Sequence, residues 1–174
     1  MSRSIATIAV SVVAGFAVGA VACTHANPQP PPGPPPAPPQ AGASCTGDLD
    51  GALTALPKPA DDLSNRQNLL QCSKSTWQPY LDPYPSSDRW LSTGPELVLH
   101  GQGRRNPEVK AGAWTATPVT VEARCSAERV DVVSAGQTSA PETFSADPGQ
   151  PLTFDISDHL FTVKFSGYCL WQRS

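Results

Sequence analysis

Five cysteines carry the most easily anticipated chemistry in this 174-residue chain, because a thiol can be oxidised to a disulfide or can carry an acyl group. Cys45, Cys72, Cys125 and Cys169 form an even set, which favours two disulfides in an oxidising compartment. Locality pairs Cys45 with Cys72 and leaves Cys125 with Cys169, although four cysteines allow three connectivities. Their wide spacing does not suit a zinc site, and we predict no metal and no cofactor.

Cys23 stands apart from the other four. It follows Arg3, the uncharged stretch of residues 4–22 and the sequence Gly19-Ala20-Val21-Ala22. This segment resembles a bacterial lipoprotein signal peptide with its lipobox, in the permissive actinobacterial form that accepts alanine three positions before the cysteine. The resemblance implies cleavage before Cys23 and acyl chains, palmitate among them, on its thiol. The membrane would then be a partner of the chain through that lipid.

Two other interpretations of residues 4–22 stay open. An uncharged stretch of this length can span a bilayer as an uncleaved single-pass anchor. It can also be a secretory signal that is cut after Ala22 without lipidation, which would give a secreted protein. All three interpretations place the rest of the chain outside the cytoplasm.

The proline tract, residues 28–39, follows directly and is interrupted only by Gln29, Gly33 and Ala37. Such a run favours the polyproline II conformation, which would hold a domain roughly 35 to 40 Å from its anchor. The tract also contains PxxP patterns, but their readers are largely intracellular domains, so we predict a spacer rather than a ligand.

Catalytic signatures are lacking in the sequence, which has no G-x-S-x-G, H-E-x-x-H, Walker or S-x-x-K motif. The glycine-containing stretch from His100 to Arg105 is predicted to be a hairpin loop rather than a phosphate loop, and His100 to be structural or exposed. Asp155, Asp158 and His159 could orient a nucleophile, but a solvated turn is favoured. We therefore predict no catalytic residues.

A cluster of aromatic residues, interleaved with prolines, is the best candidate for a binding surface. It comprises Trp77, Tyr80, Tyr84 and Trp90. Ring faces stack on sugars and anchor protein interfaces, although rings that fill a small core show the same pattern. Arg104 and Arg105 are added to this candidate surface as a possible anion-binding loop tip, with a solvated hairpin as the alternative.

The elements that must position these residues fall into two groups. Between residues 45 and 90 we expect short helices and loops. Asp48 would cap one helix through Leu53 and Leu56, and Asp61 or Asp62 would cap another that ends at Cys72.

After residue 96 the hydrophobic period changes to two, which predicts strands separated by turns. The predicted strands are residues 119–125, 129–133, 152–156 and 161–171, and the predicted turns are residues 126–128, 147–149 and 157–159. The fold class is mainly β, a small antiparallel sandwich or barrel. If the last strand is continuous, Cys125, Cys169 and Trp171 all face inward, so a bridge beside an indole would weakly resemble the staple of an immunoglobulin-like sandwich.

Three regions are therefore expected: a signal peptide (1–22), a lipidated cysteine with its spacer (23–44) and a disulfide-stapled extracytoplasmic domain (45–174). The formal net charge of −3 argues against a nucleic-acid partner. The favoured function is a non-catalytic binding or interaction module of the cell envelope, with a glycan or a protein as its partner. The alternative is an enzyme, or an enzyme accessory, that acts on envelope glycan or peptide through His100 or His159.

Overall fold

The computed structural model describes residues 37–57, 68–94 and 96–174, all of which belong to one compact unit. Strands dominate this part of the chain, and a 3-10 helix at Gly47–Leu49 precedes them. In chain order they are β1 (Leu53–Ala55), β2 (Leu69–Ser73), β3 (Thr76–Tyr80), β4 (Arg89–Ser92), β5 (Leu97–His100), β6 (Gly112–Pro118), β7 (Ser126–Ser134), β8 (Gln137–Thr138), β9 (Glu142–Ser145), β10 (Leu152–Ile156), β11 (Leu160–Ser166) and β12 (Cys169–Arg173).

The strands form two sheets in a sandwich-like arrangement. The larger sheet has seven strands in the order β10-β6-β12-β4-β1-β2-β3, and the smaller has the order β5-β11-β7-β8, with β9 also pairing with β7. Neighbouring strands are antiparallel except β1 and β4, which are parallel. The predicted mainly β sandwich is confirmed.

Aromatic side chains fill the space between the sheets. Trp171 of β12 stacks on Phe165 of β11, with ring centroids 4.0 Å apart and planes 4° from parallel. Phe154 of β10 meets both rings edge-on. The buried Ser92 accepts a 2.9 Å hydrogen bond from Nε1 of Trp171 and donates a 2.6 Å bond to the carbonyl oxygen of Gly167. The polar edge of the indole is therefore satisfied inside the core.

Both expected disulfides are present. Cys45 is joined to Cys72, and Cys125 to Cys169. Cys169 begins β12 of the larger sheet, whereas Cys125 directly precedes β7 of the smaller sheet, so the second bridge ties the two sheets together beside Trp171. The immunoglobulin-like topology stays a prediction.

The last predicted strand, residues 161–171, is wrong as a single element. It divides at Gly167 into β11 and β12, which belong to different sheets. Gly167 has φ 90°, and a Cβ placed on it would collide with the carbonyl oxygen of Arg124. The chain crosses between the sheets here because this position has no side chain. Cys169 and Trp171 are nevertheless buried, as expected.

The helices expected between residues 45 and 90 are also wrong, apart from the short 3-10 helix. Leu53 lies in β1, while Leu69 and Cys72 lie in β2. Both strands are interior members of the larger sheet, so side chains on both of their faces are buried. A short apolar run that is buried on both faces has no period that separates a strand from a helix. Asp61 and Asp62 lie outside the described residues.

The expected strand at residues 119–125 is wrong as well. The actual strand, β6, ends at Pro118, and Val121 is 78% exposed in the loop that follows. The expected turn at residues 126–128 is instead the beginning of β7. By contrast, β10 alternates buried and exposed residues as predicted.

The turns on either side of β10 are confirmed. The amide of Gln150 donates to the carbonyl oxygen of Asp147 over 3.0 Å, and the amide of Leu160 donates to that of Ser157 over 3.3 Å.

Candidate binding groove

A groove of about 550 Å³ opens beside β2, the end of β3 and the loop between β5 and β6. One wall is formed by residues 79–85 and the other by residues 100–108. The described residues that line it are Ala41, Leu56, Asn68, Leu69, Leu70, Pro79, Tyr80, Leu81, Asp82, Pro83, Tyr84, Pro85, His100, Arg105, Asn106 and Glu108.

The first wall, which we call the tyrosine wall (residues 79–85), presents rings at its surface. Tyr80 ends β3 and packs against the core, whereas Tyr84 is 62% exposed and Leu81 is 88% exposed. The amide of Tyr84 donates a 2.9 Å hydrogen bond to the carboxylate of Asp82, which fixes the local turn. Three prolines further restrict the backbone, so the rings are presented at low entropic cost.

The opposite wall is the loop that follows β5. The amides of Glu108 and Val109 both donate to the carbonyl oxygen of His100, over 2.8 and 3.2 Å, and close the loop on itself. At Gly103 a Cβ would lie 2.7 Å from the carbonyl oxygen of Leu160, so the close approach of this loop to β11 requires glycine. Arg105 and Asn106 are exposed at the tip, and both line the groove.

At the base of this loop, His100 and Glu108 form a pair, and both residues line the groove. The Glu108 carboxylate is 2.9 Å from Nδ1 of His100 and accepts a 2.8 Å bond from the amide of the same residue. Burial raises the pKa of Glu108, and the hydrogen bonds and charge of His100 oppose that rise. The His100 side chain is 32% exposed, and no residue of the described part of the chain bonds its Nε2. Glu108 thus orients the His100 ring through Nδ1 and leaves Nε2 without a partner among the described residues.

Only part of the predicted aromatic surface lies at the groove. Tyr80 and Tyr84 do, but Trp77 is 3% exposed and Trp90 is fully buried. That part of the prediction is wrong, because Trp90 belongs to the core between the sheets and Trp77 to a second, smaller core that includes the Cys45–Cys72 bridge. Nε1 of Trp90 donates to the carbonyl oxygens of Ser87 and Glu108, so this tryptophan acts as a positioning residue for the loop.

The two candidate arginines also differ. The guanidinium of Arg104 lies over the ring of Phe161, 5.1 Å from its centroid. Arg105 faces the groove and makes no ion pair with any residue that the structure describes. Among the described residues that line the groove, Arg105 is therefore a cation available to a ligand, whereas the guanidinium of Arg104 lies over a ring.

The other histidine cluster lies in a solvated turn, as predicted. His159 and Asp158 are 3.4 Å apart, and both side chains are more than 70% exposed. The hydroxyl of Ser157 donates to Asp131. Within residues 37–57, 68–94 and 96–174, no group of three or more His, Cys, Asp or Glu residues could hold a metal ion.

Sequence reasoning missed Glu108, Asn106 and Leu81. Glu108 stands in a loop with no periodic pattern, and only its distance from His100 in space reveals the pair. Leu81 could have been noted as an apolar residue within the proline-rich stretch of residues 79–85.

Cys23, residues 4–22 and most of the proline tract lie outside the described residues. In the part of the chain that is described, no helix is long and apolar enough to cross a membrane. Comparison with protein-family models, with curated proteins and with solved structures finds no match to this chain.

Proposed function

We propose that this chain is an extracytoplasmic lipoprotein, anchored to the outer face of the cell membrane through lipid on Cys23. Its sandwich is a non-catalytic binding module of the cell envelope, and the groove is its ligand site. The lipobox-like sequence supports the anchor. The two disulfides are compatible with an oxidising compartment and give that location weak support.

The observation that carries the binding role is the tyrosine wall. Leu81 and Tyr84 are large side chains that stay exposed, although the neighbouring Tyr80 packs against the core. Exposed rings on a fixed backbone stack on flat or apolar ligand surfaces and lose little conformational freedom when they do so. Arg105, across the groove, adds a charge-assisted hydrogen-bond donor. This combination suits a glycan or a polypeptide partner.

Two substitutions test the groove without touching the core. Tyr84→Ala and Arg105→Ala remove exposed side chains, so both variants should unfold at the same temperature as the parent. Each should reduce cosedimentation with cell-wall glycan, or retention by immobilised envelope proteins, at least about tenfold.

Arg124→Ala is the matched control, because Arg124 is an exposed arginine whose ion pair with Asp147 lies outside the groove. Full retention by both groove variants would refute the proposal.

The oriented His100 favours a second candidate function, an enzyme that acts on envelope glycan or peptide. A histidine held by a buried carboxylate, with its second nitrogen open, can serve as a general base. His100→Gln removes the base while keeping a polar side chain of similar length. If turnover of envelope glycans or peptides is detected and is lost in His100→Gln but not in His159→Gln, the enzyme is favoured over the binding module.

A further inference from the structure

The tyrosine wall offers little main-chain hydrogen bonding to a docked chain. Pro79, Pro83 and Pro85 have no amide hydrogen, and the amide of Tyr84 is taken by Asp82. The outer edge of β3 is already paired at Trp77, whose amide donates to the carbonyl oxygen of Ala43 over 2.8 Å. Strand addition, which depends on a ladder of such bonds, is therefore disfavoured at this wall.

The side chains of the groove suit a polypeptide that binds without a ladder of main-chain hydrogen bonds. A polyproline II segment makes no internal hydrogen bonds, presents apolar ridges that fit between aromatic rings and exposes carbonyl acceptors. Tyr80 and Tyr84 supply the rings. Arg105, Asn106 and the tyrosine hydroxyls supply donors. A proline-rich ligand has acceptors and almost no donors, so the two sets of polar groups are complementary.

The chain itself carries such a segment. Nine of the twelve residues of the proline tract are prolines. The described end of the tract, residues 37–39, and Gln40 after it do not line the groove. A turn closed by the amide of Ala43 donating to the carbonyl oxygen of Gln40 reverses the chain, and only Ala41, within the turn, lies at the groove. Because residues 37–40 run outside the groove of their own copy, the tract of another copy is the favoured occupant.

We propose that the groove binds the proline tract of a second copy of this chain in the polyproline II conformation. This inference rests on the proposed function, because it names the partner of the same groove. Twelve residues in that conformation span roughly 35 to 40 Å, enough to reach between neighbouring copies on one surface. If two copies bind each other's tracts, they form a closed dimer. If each copy binds the tract of the next, the copies form an open chain.

The first experiment uses a synthetic peptide with the sequence of residues 28–40. The host is the full chain in detergent micelles, with the prolines of its own tract replaced by serine so that its groove is unoccupied. Isothermal titration should detect binding of this peptide and none of a peptide in which serine replaces proline. Tyr84→Ala in the host should weaken binding at least about tenfold, whereas the exposed Val133→Ala, outside the groove, should leave it unchanged.

The second experiment asks whether two copies are joined. A photoreactive amino acid at position 81 of the full chain, which lines the groove and leaves Tyr84 in place, should crosslink to the proline tract of a second copy when isotopically light and heavy chains are mixed. Crosslinks found only within one chain would overturn the proposal. Peptide binding that is equally tight in the parent and in Tyr84→Ala would also overturn it. If the peptide fails to bind while an envelope component still depends on Tyr84, the proposed function stands and this inference is lost. If neither depends on Tyr84, both are lost.

Discussion

Single buried polar residues supply the hydrogen-bond partners that other buried groups of this small domain need. Ser92 is buried and serves both as acceptor for the Trp171 indole and as donor to a backbone carbonyl. Glu108 is likewise buried, but it serves a loop rather than the core. Neither role is visible in the sequence, because each depends on a partner brought close by the fold. A polar residue that no sequence pattern singles out can thus fix the position of its neighbours through hydrogen bonds.

Replacing Ser92 by alanine should destabilise the protein. The change leaves Nε1 of Trp171 buried without an acceptor, and an unsatisfied buried donor costs about 1 to 3 kcal/mol. Urea denaturation followed by tryptophan fluorescence would report the loss. Ser145→Ala, at an exposed position of β9, is the control and should change stability little. Equal stability of the two variants would show that the Trp171 bond contributes nothing.

Asp88 should make stability depend on acid pH. The hydrogen bond from Arg173, reinforced by Lys110, lowers the pKa of Asp88 below its usual 3.8. A carboxylate with a lowered folded-state pKa stabilises the fold above its unfolded pKa, and the stabilisation disappears as pH falls through the folded-state value.

Asp88→Asn should therefore be less stable than the parent near neutral pH, and the difference should vanish well below pH 4. Thermal melts across this range would measure it. A difference that persists undiminished at the lowest pH would have another cause.

At the scale of elements, the sequence predicts best where a strand has one wet face. In β10, Leu152, Phe154 and Ile156 alternate with exposed residues, and the strand lies where the period places it. Prediction failed for β1 and β2, because interior strands covered on both faces carry no alternation. It also failed at residues 119–125, where alternating valines lie in a loop. The disulfides were predicted because covalent pairing needs only an even count and locality.

The candidate site was predicted less completely than the fold. The proline and tyrosine content of residues 79–85 pointed to a surface, and Tyr80 and Tyr84 do line the groove. Trp77 and Trp90 carry the same sequence signal but face the cores, because rings flanked by prolines look alike whether buried or exposed. The second wall comes from a loop without periodicity, which the amides of Glu108 and Val109 close onto the carbonyl oxygen of His100.

The crossing between the sheets can be tested through Gly167. Gly167→Ala combines a left-handed backbone with a collision against the Arg124 carbonyl, so it should destabilise the protein by roughly 1 to 3 kcal/mol. Gly136→Ala is a matched control, since its φ is 76° but no atom lies within 4 Å of the added carbon. The difference in unfolding free energy between the two variants isolates the collision. Equal losses would show that only the backbone angle matters.

In the proposed function, the whole molecule joins a lipid anchor, a spacer and a binding domain, and the anchor depends on the thiol of Cys23. Cys23→Ser should abolish incorporation of a clickable fatty acid and should leave the protein either as uncleaved precursor or free of the membrane. Intact-mass measurement and membrane fractionation would show this. Cys125→Ser is the control, because it breaks a disulfide without removing the lipidation site. Unchanged mass and fractionation of Cys23→Ser would disprove the lipid anchor.

The Cys45–Cys72 bridge has a mechanical consequence for a domain held by its N-terminal side. A pulling force applied through the proline tract reaches Cys45, and the disulfide transmits it directly to Cys72 in β2, within the larger sheet. Residues 46–71, which lie between the two cysteines, are bypassed and bear no tension. A pull on the chain before Cys45 would therefore first break the hydrogen bonds that join residues 42–45 to Ser75 and Trp77, and the domain would stay folded until the sheet itself was disrupted. If this bridge were reduced, the same pull would instead be carried by the residues between the two cysteines, and these would be drawn out of the fold.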